Sequence, residues 1–304
     1  MISHPTPAPL ARPDASPCAA NAQAAPHAPC AETKPHAPCA EVKVIAPRTS
    51  FEITASVCKA LLLRELLSRL FCTRGAWFWL LAEPLFHVAF LVTIFSAIRV
   101  RSVGGIAVGA WIMIGLLTFL TFRRTLTQAM NAVDANRALF TYRQVKPVDT
   151  VLVRGLLEGL LMAAVSLLMM AIMALAGFEM LPDDPLALLA AMSLIGLFGL
   201  GCGLMACVGV ELASGFSKVI GMAMMPLYFL SGVMFPLSAV PDPYRAWLLA
   251  NPIVHAIELA RAGFSNGYTV VPGVSLNYLA ACTGAALLMG LALQRRFAKR
   301  IQSA

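Results

Sequence analysis

Six long apolar segments follow one another along this chain, and they limit its possible folds more than any other feature. Crossing the hydrocarbon core of a bilayer takes about 20 mostly apolar residues, since a helix rises only about 1.5 Å per residue. Lipid offers no partner to unpaired backbone groups, so such segments form helices. The sequence therefore predicts an all-α membrane protein with six transmembrane helices, at about residues 77–98, 105–122, 151–177, 186–210, 219–235 and 274–293.

The composition is that of a chain dissolved in lipid. Of its 304 residues, 59% are hydrophobic and 12% are charged, with a mean hydropathy of +0.76, whereas soluble domains carry about a quarter charged residues. The net charge of +8 could indicate nucleic-acid binding. The basic residues, however, collect before the first segment, between the second and third, and after the sixth. By the positive-inside rule both termini are expected to be cytoplasmic, and no nucleic-acid partner is expected.

Three further regions flank or interrupt the predicted spans. Residues 1–50 hold ten of the twenty prolines and much alanine, which predicts a disordered cytoplasmic tail. Residues 51–74 have leucines on one helical face and charged residues on the other. This predicts an amphipathic interface helix on the inner membrane surface, ahead of a transmembrane domain over 75–304. Residues 236–273 are expected to form short outer-leaflet helices, broken at Asn251–Pro252.

The sequence lacks the motifs of covalent chemistry. No G-x-x-x-x-G-K-[ST] loop is present to cradle phosphates, so no ATP hydrolysis is expected from this chain. The eight cysteines form no C-x-x-C pair, which favours buried packing over a metal or redox site. His255 and Glu258 could share a helix face as metal ligands, but capping or packing of a short helix is favoured. We therefore expect no catalytic residue, no metal ligand and no cofactor bound by this chain.

Four ionisable residues fall within the predicted spans: Glu83, His87, Glu158 and Glu211. A charged side chain at the bilayer centre costs about 2.5–3.5 kcal/mol on insertion scales. Each is therefore expected to have a partner, a water-filled path or a place near the membrane surface. A proton-coupled carrier would need such groups near the midplane, whereas these lie mainly near helix ends.

The connection between the second and third predicted spans has the composition of a docking surface. It contains Met130, Val133, Phe140 and Tyr142 among basic residues, which is more apolar than a solvated loop needs to be. Apolar and basic side chains together on a short exposed helix indicate contact with another protein.

Three stretches of the sequence resemble the ABC-2 permeases that export capsular polysaccharide. MNAVDANRALFTYRQVKPVDTVLVRGLLE (130–158) is similar to the family's connection between its second and third spans. ALLLRELLSRLF and WFWLLAEPLFHV (60–71 and 77–88) resemble its interface helix and first span, and ANPIVHAIELARAGF (250–264) resembles its outer-leaflet helix. The resemblance covers about 51–300 in order. It implies an ABC-2 permease of the type V exporter kind, in a bacterial inner membrane.

The resemblance also implies the partners. Two copies of the chain would form the pore, and two separate ABC ATPase subunits, carrying ATP and Mg²⁺, would dock from the cytoplasm. Periplasmic and outer-membrane export components and a long anionic polysaccharide are implied as well. The coupling helix that seats in each ATPase would contain Met130, Asn131, Asn136, Leu139, Phe140, Tyr142, Arg143 and Lys146.

A glycan conduit needs aromatic faces for sugar rings and few fixed charges. Aromatic residues near span ends also form belts at the membrane interface, and that alternative stays open for each candidate. The candidates for the conduit lining are Trp77, Trp79, Phe86, Phe90, Tyr228 and Phe229.

Other functions fit parts of the pattern. The same machinery could export O-antigen, teichoic acid or a drug. An ion-coupled carrier would be expected to show inverted repeats with paired broken helices, and only one broken region, after the fifth span, is present. A membrane-embedded enzyme would need a nucleophile, metal or carboxylate-pair motif that the sequence lacks.

Overall fold

The computed structural model describes most of the chain, over residues 50–71, 76–98, 102–141, 145–213 and 215–303. Residues 1–49 of the predicted tail lie outside these ranges, as do Tyr142 and Arg143 of the predicted coupling helix. The predictions about them stay predictions.

Helices make up most of the described chain, which confirms the mostly helical prediction. Pro147, Pro185 and Pro252 each lie in the first turn of a helix, where the fixed φ of proline suits the helix and its missing N–H is not needed. The α-helices of the described residues are α1 (Ser50–Phe71), α2 (Ala76–Ala97), α3 (Val108–Met130), α4 (Ala132–Asn136), α5 (Pro147–Leu175), α6 (Pro185–Leu212), α7 (Phe216–Leu230), α8 (Asp242–Leu249), α9 (Pro252–Phe264) and α10 (Leu276–Ser303).

A small β-hairpin interrupts the helices between α2 and α3. Strand β1 (Ser102–Val103) pairs antiparallel with β2 (Ile106–Ala107). Gly104 and Gly105, in the turn, have φ values of 57° and 86°, in the left-handed region that such a tight hairpin turn requires. The hydrophobic pattern did not predict this hairpin, because two-residue strands are too short to show a period.

Three of the described helices are long and apolar enough to cross a membrane: Pro147–Leu175, Pro185–Leu212 and Leu276–Ala298. Shorter apolar helices cover Ala82–Phe95 and Phe216–Leu230. Helix α3 has 23 residues, but arginines and a glutamine in its second half lower its hydropathy. Length and composition thus identify three membrane-capable helices among the described residues, and the count of six spans stays a prediction.

The core is built around the first half of α3, where every residue is buried. Trp111 and Phe119 lie there in a cluster with side chains of α5, α6 and α9. Helices α6 and α10 approach closely, since a Cβ on Gly201 would lie 2.8 Å from the carbonyl carbon of Ala286. By contrast, no residue of α7 is buried, and one side of α2 is exposed. These two helices lie at the edge of the single chain.

Candidate coupling segment and conduit surface

The connection between α3 and α5 forms a short helical segment that is fixed to the rest of the chain. Helix α4 continues into a 3₁₀ turn at Arg137–Thr141, and we call residues 131–141 the coupling segment. Ala132 and Val133 are buried in an apolar cluster with side chains of α5, α6 and α10, and Phe140 packs against it. The apolar side of the segment therefore packs against three helices.

Two polar contacts add to this attachment. The buried Asn136 amide oxygen accepts a hydrogen bond from the Arg64 guanidinium of α1. Arg137 donates to Glu211 near the end of α6 at 2.9 Å and pairs with Asp134. The hydrogen bond with Asp134 and the charge of Glu211 raise the pKa of the Arg137 guanidinium, which stays charged. The segment is thus bonded to both α1 and α6.

The predicted coupling residues lie in different surroundings. Met130 is buried in the last turn of α3, and Lys146 is exposed just before α5. Asn131, Leu139 and Phe140 are half-buried. The predicted set thus mixes buried, half-buried and exposed side chains, and it does not include the exposed face of the coupling segment. That face is formed by Asp134, Ala135, Arg137 and Ala138.

Charged side chains form a paired cluster where α1, α2, α3 and α5 meet. At its centre the fully buried Glu158 of α5 accepts hydrogen bonds from Arg69 of α1 and, at 3.4 Å, from Arg124 of α3. Pairing matters here because an uncompensated buried charge is strongly destabilising. We call this set the arginine–glutamate cluster, and it consists of Glu65, Arg69, Glu83, Arg123, Arg124, Arg154 and Glu158.

The outer members of the cluster are paired in the same way. Glu83 of α2 binds both Arg123 and Arg124, the latter at 2.7 Å. Glu65 of α1 pairs with Arg154 of α5 at 3.1 Å. The carboxylates of the first and third predicted spans therefore have basic partners within the chain.

Most of the predicted conduit residues lie on one exposed side of α2 and on α7. Trp79, Phe86 and Phe90 are 71%, 77% and 56% exposed. At 3.6 residues per turn they fall within an arc of about 40° on the helix. On α7, Phe229 is exposed and Tyr228 is half-buried. The aromatic candidates thus form a surface rather than a closed pore in the single chain.

One polar contact joins α2 to α7 beside these aromatic side chains. The Nε2 atom of His87 lies 3.1 Å from the Tyr228 hydroxyl, with the ring centroids 5.6 Å apart. Trp77, the remaining candidate, belongs to the first turn of α2, and its side chain is outside the described part of the structure. The boundary between α2 and α7 therefore combines aromatic and hydrogen-bonding groups.

A second buried ion pair lies near the first turn of α3. Arg261 of α9 is fully buried, with its guanidinium carbon 3.6 Å from the centre of the Trp111 ring, and it pairs with Glu258 at 3.3 Å. It also donates to the Gly232 carbonyl at 3.1 Å, which fixes α9 to the turn after α7. The Tyr268 hydroxyl donates to Glu258 at 3.0 Å. Burial and the Glu258 charge raise the pKa of that hydroxyl, so it remains a donor.

His255 and Glu258 both have protein partners, in line with the packing role favoured for them. His255 Nε2 lies 2.7 Å from the Leu249 carbonyl, and its Nδ1 accepts from the Ser275 N–H at 3.0 Å. The part of the chain that the structure describes contains no group of three or more His, Cys, Asp or Glu side chains that could hold a metal ion.

Known proteins resemble this chain over most of its length. The model of the ABC-2 type transporter family matches residues 56–265. The chain is 38% identical over 248 residues to the polysialic acid transport protein KpsM of Escherichia coli, which covers 82% of this chain and 96% of KpsM. It is 30% identical to the capsule polysaccharide export inner-membrane protein BexB of Haemophilus influenzae, over 84% of this chain and 96% of BexB. Identity to the protein of the same description, CtrC of Neisseria meningitidis serogroup A, is 30%, over 83% of this chain and 95% of CtrC. The chain therefore belongs to the ABC-2 type transporter family.

Proposed function

We propose that this chain is the membrane permease subunit of an ATP-driven exporter that moves capsular polysaccharide across the bacterial inner membrane. The observation that carries the proposal is the similarity, over 82–84% of the chain, to proteins named for polysialic acid transport or capsule polysaccharide export. The same alignments cover 95–96% of each relative, which favours a shared activity of the whole protein over a shared module.

The proposed arrangement has six spans, α2, α3, α5, α6, α7 and α10, with both termini in the cytoplasm. Helix α1 lies on the inner membrane surface, and α8 and α9 lie in the outer leaflet. In support, Leu63 and Leu67 of α1 are exposed while its charged side joins the arginine–glutamate cluster, which suits a helix with lipid on one side. Helix α7 has 15 residues, and a short span can be accommodated by local thinning of the bilayer or by oligomerisation.

The complete exporter in this proposal contains two copies of the chain and two cytoplasmic ATPase subunits. ATP and Mg²⁺ are bound by the ATPases, and periplasmic and outer-membrane components continue the path. The exposed side of the coupling segment, together with Tyr142 and Arg143 of the predicted coupling helix, is the docking surface. Contacts such as Arg64–Asn136 and Arg137–Glu211 support this role, because they would pass a rigid-body movement from the segment to α1 and α6.

The conduit runs along the exposed side of α2 and the adjoining side of α7. What supports this is the exposure of Trp79, Phe86 and Phe90 on a helix that otherwise buries Val88 and Leu91 in the core.

The test is the distribution of polysaccharide in a strain that lacks this gene. We expect the polymer to disappear from the cell surface and to accumulate inside the cell, and a plasmid copy of the gene to restore the surface polymer. An unchanged surface polysaccharide in the deletion strain would reject capsule export as the function.

A further inference from the structure

Polar side chains lie at the boundary between α2 and α7 in a region that is otherwise apolar. The imidazole of His87 and the hydroxyl of Tyr228 are half-buried and 3.1 Å apart. One helical turn before His87, Glu83 binds Arg123, and the side chains of this pair are 40% and 38% exposed. Partly exposed polar side chains therefore run along α2 from the arginine–glutamate cluster to His87, which contacts Tyr228 of α7.

Lipid is a poor occupant for this boundary. A hydrocarbon chain cannot hydrogen-bond to a carboxylate, a guanidinium or an imidazole, and such groups in a membrane typically face protein or a polar cavity. Glu83 is paired with two arginines, and about two fifths of the Glu83 and Arg123 side chains remain exposed in the single chain. A polar occupant from outside the single chain would complete their contacts.

Aromatic rings lie next to these polar groups on the same helix. Around the axis of α2, Glu83 and His87 are about 40° and 80° from Trp79, while Phe86 and Phe90 are within about 20° of it. Apolar ring faces with a few well-placed hydrogen-bonding groups are typical of small-molecule sites. A sugar unit matches this combination, because its ring presents apolar C–H faces and its rim carries hydroxyl groups.

We propose that Glu83, His87 and Tyr228, with Phe86 and Phe90 beside them, form a sugar-binding strip that holds one unit of the exported glycan. This rests on the proposed function and names residues for it. A tyrosine hydroxyl offers one donor and two acceptor positions, and His87 occupies one of these. The remaining positions of the hydroxyl, and the second lone pair of each Glu83 carboxylate oxygen, are available to sugar hydroxyls.

The test measures binding by the complete exporter, permease with its ATPases, in lipid nanodiscs. The probe is a set of short oligosaccharides obtained by partial hydrolysis of the host strain's own surface polysaccharide, and affinity is measured by calorimetry. Removing one hydroxyl with Tyr228→Phe should weaken binding about 5- to 10-fold. The matched control is Tyr244→Phe, which makes the same change on the exposed side of α8, and it should leave the affinity unchanged. Equal affinities for Tyr228→Phe and the parent would overturn the strip.

A labelling experiment covers the case in which Tyr228→Phe fails to fold. Phe86→Cys is reacted with a charged, membrane-impermeant thiol reagent, and the label is counted beyond that of the parent chain. If the oligosaccharides slow the labelling of Phe86→Cys, the result supports the strip. No labelling, or a disulfide between two copies, shows that a second copy or lipid covers this side and overturns it. Loss of surface polysaccharide on gene deletion, with binding unchanged in Tyr228→Phe, would reject the strip and leave the proposed function standing.

Discussion

At the scale of single residues, the charged groups inside this chain are stabilised by partners that are distant in sequence. Glu158 lies 89 positions from Arg69, and Glu83 lies 40 positions from Arg123. Burying a carboxylate in a membrane is costly, so the sequence predicts that each such carboxylate has a partner. The sequence does not show which arginine forms the ion pair, because that depends on how four helices pack. The sequence therefore predicts that Glu158 is paired, but it does not identify Arg69 and Arg124 as its partners.

Arg261 gives the sharpest prediction at this scale. In Arg261→Met the buried Glu258 carboxylate loses its charged partner, and Trp111 loses the guanidinium above its ring. Breaking a buried pair on one side costs about 3–5 kcal/mol, which should lower the unfolding temperature in detergent by roughly 6–15 °C.

The control for this substitution is Arg245→Met on α8. Arg245 pairs with Asp242 at 2.7 Å, but that aspartate side chain is 86% exposed. A pair with one exposed partner contributes little, and the Arg245 hydrogen bond to the Val240 carbonyl adds about 1 kcal/mol. The unfolding temperature should therefore fall by less than about 4 °C. Similar losses in the two variants would show that the buried pair has no special structural role.

At the scale of elements, α1 turns its charged face into the protein. Glu65 and Arg69 pair with charged side chains of α5, whereas Leu63 and Leu67 are exposed. Sequence period identifies the two faces of a helix and leaves open which of them meets the protein. Here the buried Glu158 decides it, because only the charged face can neutralise a buried carboxylate.

Detachment of α1 is the second prediction. Glu158→Ala removes the carboxylate that Arg69 and Arg124 share, while Glu65 and Glu83 still pair with these arginines. The loss should therefore be smaller than for an isolated buried pair, and amide hydrogen exchange in α1 should speed up by about 10- to 100-fold. Glu179→Ala, on an exposed carboxylate between α5 and α6, is the control and should not change exchange in α1. Equal exchange in both variants would show that the cluster does not hold α1.

ATPase docking is the third prediction. Tyr142→Ala or Arg143→Glu, both in the predicted coupling helix, should release the ATPase in a pull-down from detergent extracts, because each removes an apolar or basic contact from the docking surface. Glu179→Lys reverses a charge in the connection between α5 and α6, which lies on the periplasmic side in the proposed topology. This control variant should retain the ATPase. Full retention by the two test variants would reject the predicted coupling helix as the docking site.

Helix boundaries follow the local sequence where it contains a capping residue or a helix-breaking proline. Asn251 accepts a hydrogen bond from the Ile253 N–H at 3.1 Å and caps α9, with Pro252 in the first turn, so the chain breaks where the dipeptide favours a break. The end of α7 was not marked in this way, since its apolar run continues past Leu230. There the positive φ of Gly232 and the Arg261 contact to its carbonyl shape the turn, and that contact is tertiary.

At the scale of the whole molecule, contacts show which connections share an end of the bundle. The N–H of Asn266, after α9, donates to Asp183, before α6, at 2.8 Å, and the hairpin turn at Gly104 lies against Tyr268. At the other end, Ile301 of α10 shares the apolar cluster with Val133 of the coupling segment. The structure therefore shows which helix ends and connections lie together at each end of the bundle. The charge pattern in the sequence predicts which of these two ends faces the cytoplasm.

Reporter fusions test that assignment, which is the fourth prediction. Alkaline phosphatase folds to an active enzyme only where its disulfides form, outside the cytoplasm. Fused after Ala304 it should be inactive, because basic residues follow the last span and α10 ends beside the coupling segment. Inserted after Thr269, in an exposed part of the connection before α10, it should be active. The reverse pattern would invert the topology and move the coupling segment to the outer side, where no ATP is available. Activity at both sites would mean that α10 does not cross the membrane, and the six-span arrangement would be wrong.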